Sequence, residues 1–364
     1  MNDDLNRYHR QMLLPGFGPE GQARLAGSTA LLLGCGALGS VAADMLARAG
    51  VGHLIIVDRD FVELTNLQRQ VLFDEDDVRE LRPKAVAAKR KLERINSAVE
   101  VTAIVDDINV DNIERLAADT DILIDGLDNF ETRYLANDVA VKHGLPYVYG
   151  AAVGTSGMAM PILPHGDGNA PWETAEGGRY ATPCFRCLFE EAPPPGSTAT
   201  CDTVGVIGPA VGVIANFEVA EALKILTGNY AQVSRTLLNV DLWSNTITQL
   251  KVDGLRDKND CPACKQRRFD YLRGEAGSTS VSLCGRNAVQ LRHRQDAGGV
   301  DLAALGERLS AHGEVRSNEF ILQAELEESG TRYELSLFPD GRAILKGTDD
   351  PAVARKLYAK YVGS

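Results

Sequence analysis

Positive charge is what this 364-residue sequence has too little of. Lys and Arg number 38 against 50 Asp and Glu, a formal net charge of −12. That balance argues against a broad nucleic-acid or anionic-membrane surface, since both require net positive potential. The sequence also lacks any apolar run of the roughly 18–20 residues that cross a bilayer. Its two longest uncharged stretches, 25–43 and 144–164, are broken by glycines and by polar residues or proline. The start, MNDDLNRYHR, has acids where a secretory signal carries basic residues and then an apolar stretch, so a cytoplasmic protein is expected. Cysteine is scarce too, and seven in so long a chain make no disulfide framework. Four of them fall into two C-x-x-C pairs, Cys184/Cys187 and Cys261/Cys264, a spacing that reads first as metal in a cytosolic protein. What is there is ordinary: 44% hydrophobic and 24% charged residues, a globular composition long enough for two or three domains.

The first half alternates short apolar runs with helical spacing. STALLL (28–33), HLIIV (53–57), 99–105, DILID (121–125) and 146–149 read as strands. The segments 40–49, KAVAAKRKLERI (84–95), 111–118 and 132–143 read as helices. This order, with continuous apolar strands, predicts a parallel sheet covered on both faces. Residues 164–200 are rich in Gly and Pro with little periodicity, and so long an irregular segment is usually functional or mobile. Regular pattern resumes in one long helix over 211–227, with Gly228 as its stop, and a hairpin-like pair follows around 236–252. RGEAGSTS (273–280) reads as a linker. Residues 281–364 then form a separate small α+β block, with helices at 302–309 and 351–361 and strands at 320–325 and 333–338.

Gly34-Cys35-Gly36-Ala37-Leu38-Gly39 follows an apolar strand and opens a helix. That context raises a G-x-G-x-x-G match above chance, because the glycines permit a tight turn and the helix N-terminus offers free N–H groups to a phosphate. Asp58 ends the second strand, where an acid can accept from ribose hydroxyls. Alone, this fingerprint suggests NAD as strongly as ATP. The segment TNLQRQ (65–70), with Asn66 and Arg69, then Arg82-Pro83-Lys84, adds cations soon after the ribose acid. A dinucleotide pyrophosphate is normally met by backbone N–H groups, whereas a triphosphate needs positive charge on its β and γ groups. Asp128-Asn129 follows the DILID strand at the carboxyl edge, where open α/β sheets bind ligands, and an acid there suits Mg²⁺. Taken singly, each of these residues reads as an exposed arginine, a helix-surface lysine or an Asx turn. Their order after a glycine loop is harder to explain that way.

Two C-x-x-C pairs separated by 73 residues point to a four-thiolate structural Zn²⁺ that staples the irregular segment to the end of the domain. Cys201, in TATCDTVG, has no metal-spaced partner. It is either an acceptor that attacks an activated acyl group or an inert buried thiol. Cys35 and Cys284 read as structural.

RYHRQ (7–11), GCGALG, VDRDFVELTNLQRQ, RPK, GLDN, the two C-x-x-C pairs and TCDTVGVIGPAVGVI together resemble the adenylating enzymes of ThiF/MoeB type. Members of that family activate ubiquitin-like sulfur carriers in thiamin and molybdopterin synthesis and are cousins of the ubiquitin-activating enzymes. The resemblance covers roughly residues 5–270. It implies a Rossmann-like doubly wound, mostly parallel sheet in residues 1–272 with a zinc-stapled segment, then a linker and a C-terminal domain of unassigned role. It implies that Gly34, Gly36, Ala37, Gly39, Asp58, Asn66, Arg69, Lys84, Asp128 and Asn129 meet ATP, and that Arg10 reaches the nucleotide from the partner subunit of a homodimer. Ala37 stands where members often have glycine. In related enzymes a cysteine in the segment of Cys201 carries an acyl or persulfide linkage in some members and is dispensable in others.

The chemistry is coherent on its own terms. A terminal carboxylate, with a pKa near 3.5, is already a nucleophile at neutral pH. The protein must hold it in line with the α-phosphorus and neutralise charge. The expected function is therefore ATP-dependent adenylylation of the C-terminal glycine of a sulfur carrier ending in Gly-Gly, with a sulfur donor such as a cysteine desulfurase. A tRNA-modifying relative, an NAD-dependent oxidoreductase and a non-catalytic scaffold are the alternatives. The acidic charge disfavours the first of these, and the set Arg69, Lys84 and Asp128 disfavours the last.

Overall fold

The run Thr29–Leu33 (β1) is hydrophobic on both faces of the strand, and four of its five residues are buried. Such a strand is stable only in the middle of a covered sheet. In the computed structural model it lies there, between His53–Val57 (β2) and Ile122–Asp125 (β4), parallel to both. Glu100–Ile104 (β3) extends one side, and Tyr147–Val153 (β5) pairs in parallel with β4 on the other. The structure describes residues 6–166, 168–175, 179–193, 201–275, 282–283, 287–291, 300–328 and 330–362. Two compact units are present, one made chiefly of residues up to 275, the other of 76–82 and the residues from 282 onward.

The large unit's sheet has the order β3-β2-β1-β4-β5-β6-β7-β8. Its last three strands, Ser156–Ile162 (β6), Thr236–Asp241 (β7) and Thr246–Lys251 (β8), are antiparallel. The parallel half, the long helix and the hairpin agree with expectation, but β6 has no counterpart in the sequence reading. Its residues SGMAMPI alternate poorly and include Gly157 and Pro161. Pro161 is tolerated because β6 pairs with β7 only over Ser156–Ala159, leaving no ladder bond for the missing N–H. Gly157 is required because a Cβ there would lie 2.4 Å from Ile214 of the long helix.

Helices cover both faces. Gly18–Ala26 (α1), Ala37–Ala49 (α2), Lys84–Ile95 (α3), Ile113–Ala117 (α4), Phe130–His143 (α5) and Gly208–Leu226 (α6) are the principal ones. On one face α2 and α6 interlock through Leu38, Val41, Val211 and Ile214 with Leu238 and Val240. On the other, α5 packs Tyr134, Ala136 and Val139 against Leu31, Leu123 and Tyr147, together with Phe185 and the four paired cysteines. α2 ends at Gly50 (φ 88°), where any side chain would meet the Tyr8 ring.

The small unit is a six-stranded antiparallel sheet, order β11-β12-β13-β14-β10-β9. Its strands are Ser282–Leu283 (β9), Ala288–Leu291 (β10), Val315–Ser317 (β11), Leu322–Glu328 (β12), Thr331–Leu337 (β13) and Ala343–Lys346 (β14). Helices Leu302–Leu309 (α7) and Pro351–Tyr361 (α8) share its core with Leu322, Leu335, Leu337 and Leu345. Asp301 and Asp350 cap the two helices through their side chains, a source of about 1 kcal/mol each.

Candidate nucleotide site and cysteine cluster

The carboxyl ends of β1, β2 and β4 meet at three glycines. Gly34 leaves β1 with φ 88°. A Cβ on Gly126 or on Gly39 would lie 2.1 Å from the Gly34 carbonyl oxygen. The glycine loop, the start of α2 and the end of β4 can therefore approach so closely only without side chains. Gly36 is the N-cap of α2 and has no side chain to bond the first N–H groups. That leaves the turn able to receive an anion.

Asp58 is buried beneath this loop. Its carboxylate accepts from the backbone N–H groups of Cys35 (2.6 Å) and Asp60 (2.7 Å). Burial lifts its pKa above the ordinary value against the opposing charge of Lys84. Burial and the neighbouring Asp58 push the Cys35 thiol up as well, so this cysteine is a packing group and no nucleophile at neutral pH. Lys84, 5% exposed, opens α3 after Pro83 and donates from Nζ to Asp60 at 3.0 Å. Asn66 and Arg69 lie together: the Arg69 guanidinium donates to the Thr65 carbonyl at 3.0 Å and approaches Asn66 Oδ1 at 3.4 Å.

At the end of β4, Asp128 and Asn129 are exposed. Asn129 N-caps α5 by accepting from Thr132 N–H at 2.9 Å, and its amide donates to Asp128 at 3.2 Å. Below them Asp125 accepts from Leu127 N–H (2.9 Å), Arg133 Nε (3.0 Å) and the Tyr147 hydroxyl (2.5 Å). Arg133 in turn donates to the Leu127 carbonyl at 2.6 Å. Both main-chain groups of Leu127 are thus held by one buried ion pair, which fixes the loop that presents Asp128.

Arg10 is exposed on the short helix His9–Met12, and among the described residues its side chain meets none of the other site residues. Cys201 opens a four-residue helix; its side chain lies outside the described residues, as does Cys284. Sequence reasoning assigned no role to Arg59, Asp60, Asp107, Gln70 or Arg133. Arg59 and Asp60 sit in the VDRD segment right after Asp58, and Arg133 lies three residues into the helix after GLDN, so position relative to the motifs was the available signal. Gln70 is buried, and its Oε1 has no partner among the described residues.

The four paired cysteines converge. Their sulfurs lie within 4.8 Å of one another, all buried. Cys184–Cys187, Cys184–Cys261 and Cys187–Cys264 are separated by 3.8, 3.6 and 3.4 Å. A tetrahedral Zn²⁺ with Zn–S near 2.3 Å sets its sulfurs about 3.8 Å apart. The donor set and spacing fit a four-thiolate metal.

A glycine turn between strand and helix, a buried acid just after the second strand and cations at the carboxyl edge form the arrangement in which doubly wound α/β proteins commonly receive nucleotides. The ThiF family model matches residues 8–263, and the chain belongs to that family. It is 42% identical over 358 residues to the sulfur carrier protein ThiS adenylyltransferase of Bacillus subtilis (strain 168), covering 98% of this chain and 99% of that protein. It is 39% identical over 262 residues to the sulfur carrier protein adenylyltransferase of Thermus thermophilus, covering 72% and 91%. Among solved structures, Escherichia coli MccB with ATP shares the fold at a TM-score of 0.53 and 24% identity, over 68% of this chain and 71% of that one. Among the described residues no helix is long and apolar enough to cross a membrane.

Proposed function

We propose that the protein is an ATP-dependent adenylyltransferase. It would activate the C-terminal glycine carboxylate of a small ubiquitin-fold sulfur carrier ending in Gly-Gly and release pyrophosphate, as in thiamin or molybdopterin synthesis. The observation that carries this reading is the end-to-end similarity to a ThiS adenylyltransferase. The meeting of the glycine loop, Asp58, Lys84 and the Asp128 loop at one sheet edge supports it.

In this reading the N–H groups of 36–39 receive the phosphates and Asp58 accepts from the ribose. Asn66, Arg69 and Lys84 draw negative charge from the phosphate chain as pyrophosphate departs. Asp128, beside Asn129, would hold Mg²⁺, which when bound neutralises the phosphate oxygens. The incoming carboxylate needs no general base, so positioning and charge are the whole task. Arg10 would complete the site of the partner subunit in a homodimer. Cys184, Cys187, Cys261 and Cys264 would hold a structural Zn²⁺. Cys201 would attack the activated carbonyl, forming a thioester as AMP leaves, a sulfur donor such as a cysteine desulfurase would follow, and the setting would be cytoplasmic. This chemistry does not require the small C-terminal unit, to which no reaction is assigned.

The test is ATP–pyrophosphate exchange with purified carriers ending in Gly-Gly. Exchange is expected, and Asp128→Ala or Arg69→Ala should reduce it at least a hundredfold. Absence of exchange with every carrier, in protein that binds ATP, would overturn the substrate assignment.

A further inference from the structure

The first turn of α2 is open where a capping side chain would lie. At an N-cap, a side-chain oxygen ordinarily bonds the N–H groups two or three residues on. Gly36 holds that position and offers no such oxygen. Beyond its own chain neighbours, a Cβ on Gly36 would meet two atoms, both at 3.9 Å: Gln70 Nε2 and the Gly126 carbonyl oxygen. Of these only Gln70 can donate into the space. Gln70 is 4% exposed, and its N–H closes the turn begun at Asn66, donating to the Asn66 carbonyl at 3.0 Å. Its Oε1 is sealed from solvent with no partner among the described residues. A buried carboxamide in that state costs free energy, so packing alone would favour an apolar side chain of the same length. Asp58 orients the space towards a nucleotide. It holds the N–H of Cys35 at 2.6 Å, and Cys35 directly precedes Gly36.

Resting on the nucleotide reading above, we propose that Gln70 is a neutral donor to the α-phosphate. Its Nε2 and the N–H groups that open α2 converge on the phosphate joined to the ribose at Asp58. Arg69 and Lys84 serve the departing pyrophosphate instead. A carboxamide has no net charge, so it holds the α-phosphate by hydrogen bonding alone and does nothing to retain pyrophosphate. The same contact persists in the acyl-adenylate, where the α-phosphate bridges ribose and carrier.

The probes are AMP, a non-hydrolysable ATP analogue and adenosine, titrated calorimetrically, with the thermal midpoint as a second readout. Gln70→Met keeps the length and removes both polar atoms. It should bind AMP and the analogue about tenfold more weakly and adenosine within twofold of wild type, with a thermal midpoint no lower. Gln70→Glu brings a carboxylate to the same space and should lose more AMP affinity than Gln70→Met. A glutamine with a structural role only would behave in the opposite way, the midpoint falling while AMP affinity holds. AMP affinity of Gln70→Met within twofold of wild type, or an equal loss for AMP and adenosine, would overturn the proposal. Wild-type protein that bound neither AMP nor the analogue would instead refute the nucleotide reading, and the role of Gln70 with it.

Discussion

Two acids deep in the large unit illustrate what a residue's neighbours decide. Asp125 accepts from three donors, Leu127 N–H, Arg133 Nε and the Tyr147 hydroxyl. Glu218, fully buried on α6 against the Gly150 backbone, has no hydrogen-bond partner for either oxygen among the described residues. Burial drives its pKa well above the ordinary value, Asp125 adds to the rise, and Arg133 opposes it. Glu218 is therefore a neutral carboxylic acid in the folded protein, and the sign of the linkage follows. Its stabilising contribution is complete below the unfolded pKa of about 4.3 and is lost as pH rises from there towards the folded value. Glu218→Gln has no proton to lose, so as pH rises above that unfolded value and towards the raised folded one it should gain on wild type by up to about 1.4 kcal/mol per pH unit. Chemical denaturation at several pH values measures this, and parallel stability curves would refute it. At this scale the sequence was uneven. Asp58, Lys84 and Asp128 were legible because motifs frame them, whereas Glu218 and Arg133 lie in helices outside every motif and drew no role from the sequence.

The elements divide by how they advertise themselves. β1, β2 and β4 were legible as unbroken apolar runs because both faces are covered, and α6 because its helical pattern persists over nineteen residues. β6 was not, because its place depends on what it lacks. Gly157 admits Ile214 of α6 to the sheet face, and a pattern of small residues carries no period to detect. Gly157→Val should clash with Ile214 and destabilise the protein by about 1–3 kcal/mol, lowering the thermal midpoint by a few degrees. An unchanged midpoint would mean that α6 can shift at no cost. The Asp128 loop shows the same dependence between elements, since Gly126 and Gly39 both rest on the Gly34 carbonyl. Its geometry is a joint property of β1, α2 and β4, which no single segment of sequence reveals.

For the whole molecule, the homodimer reading makes a prediction that neither subunit alone can. If Arg10 serves the partner's site, Arg10→Ala and Asp128→Ala chains are each inactive, yet a mixed dimer contains one intact site of its two. Random exchange between the two variants should then restore about a quarter of wild-type pyrophosphate exchange; no recovery in verified mixed dimers would place Arg10 in its own subunit's site. The small unit, with its own helices and core, was legible as a separate pattern but not as a function, because no motif in its sequence points to a reaction. The cysteine cluster has a further consequence, a matter of chain topology. A metal ion joining Cys184 to Cys264 turns the intervening stretch, which carries α6, β7 and β8, into a closed ring of about 80 residues. By the loop-closure relation for cross-links, such a ring removes about 4–5 kcal/mol of freedom from the unfolded chain. Elemental analysis should find one zinc per chain. Stripping it with a chelator should make the antiparallel half of the sheet exchange its amide hydrogens sooner than the parallel half. The ion would thus act as a clasp on the antiparallel half of the sheet, limiting how far an opened chain can spread.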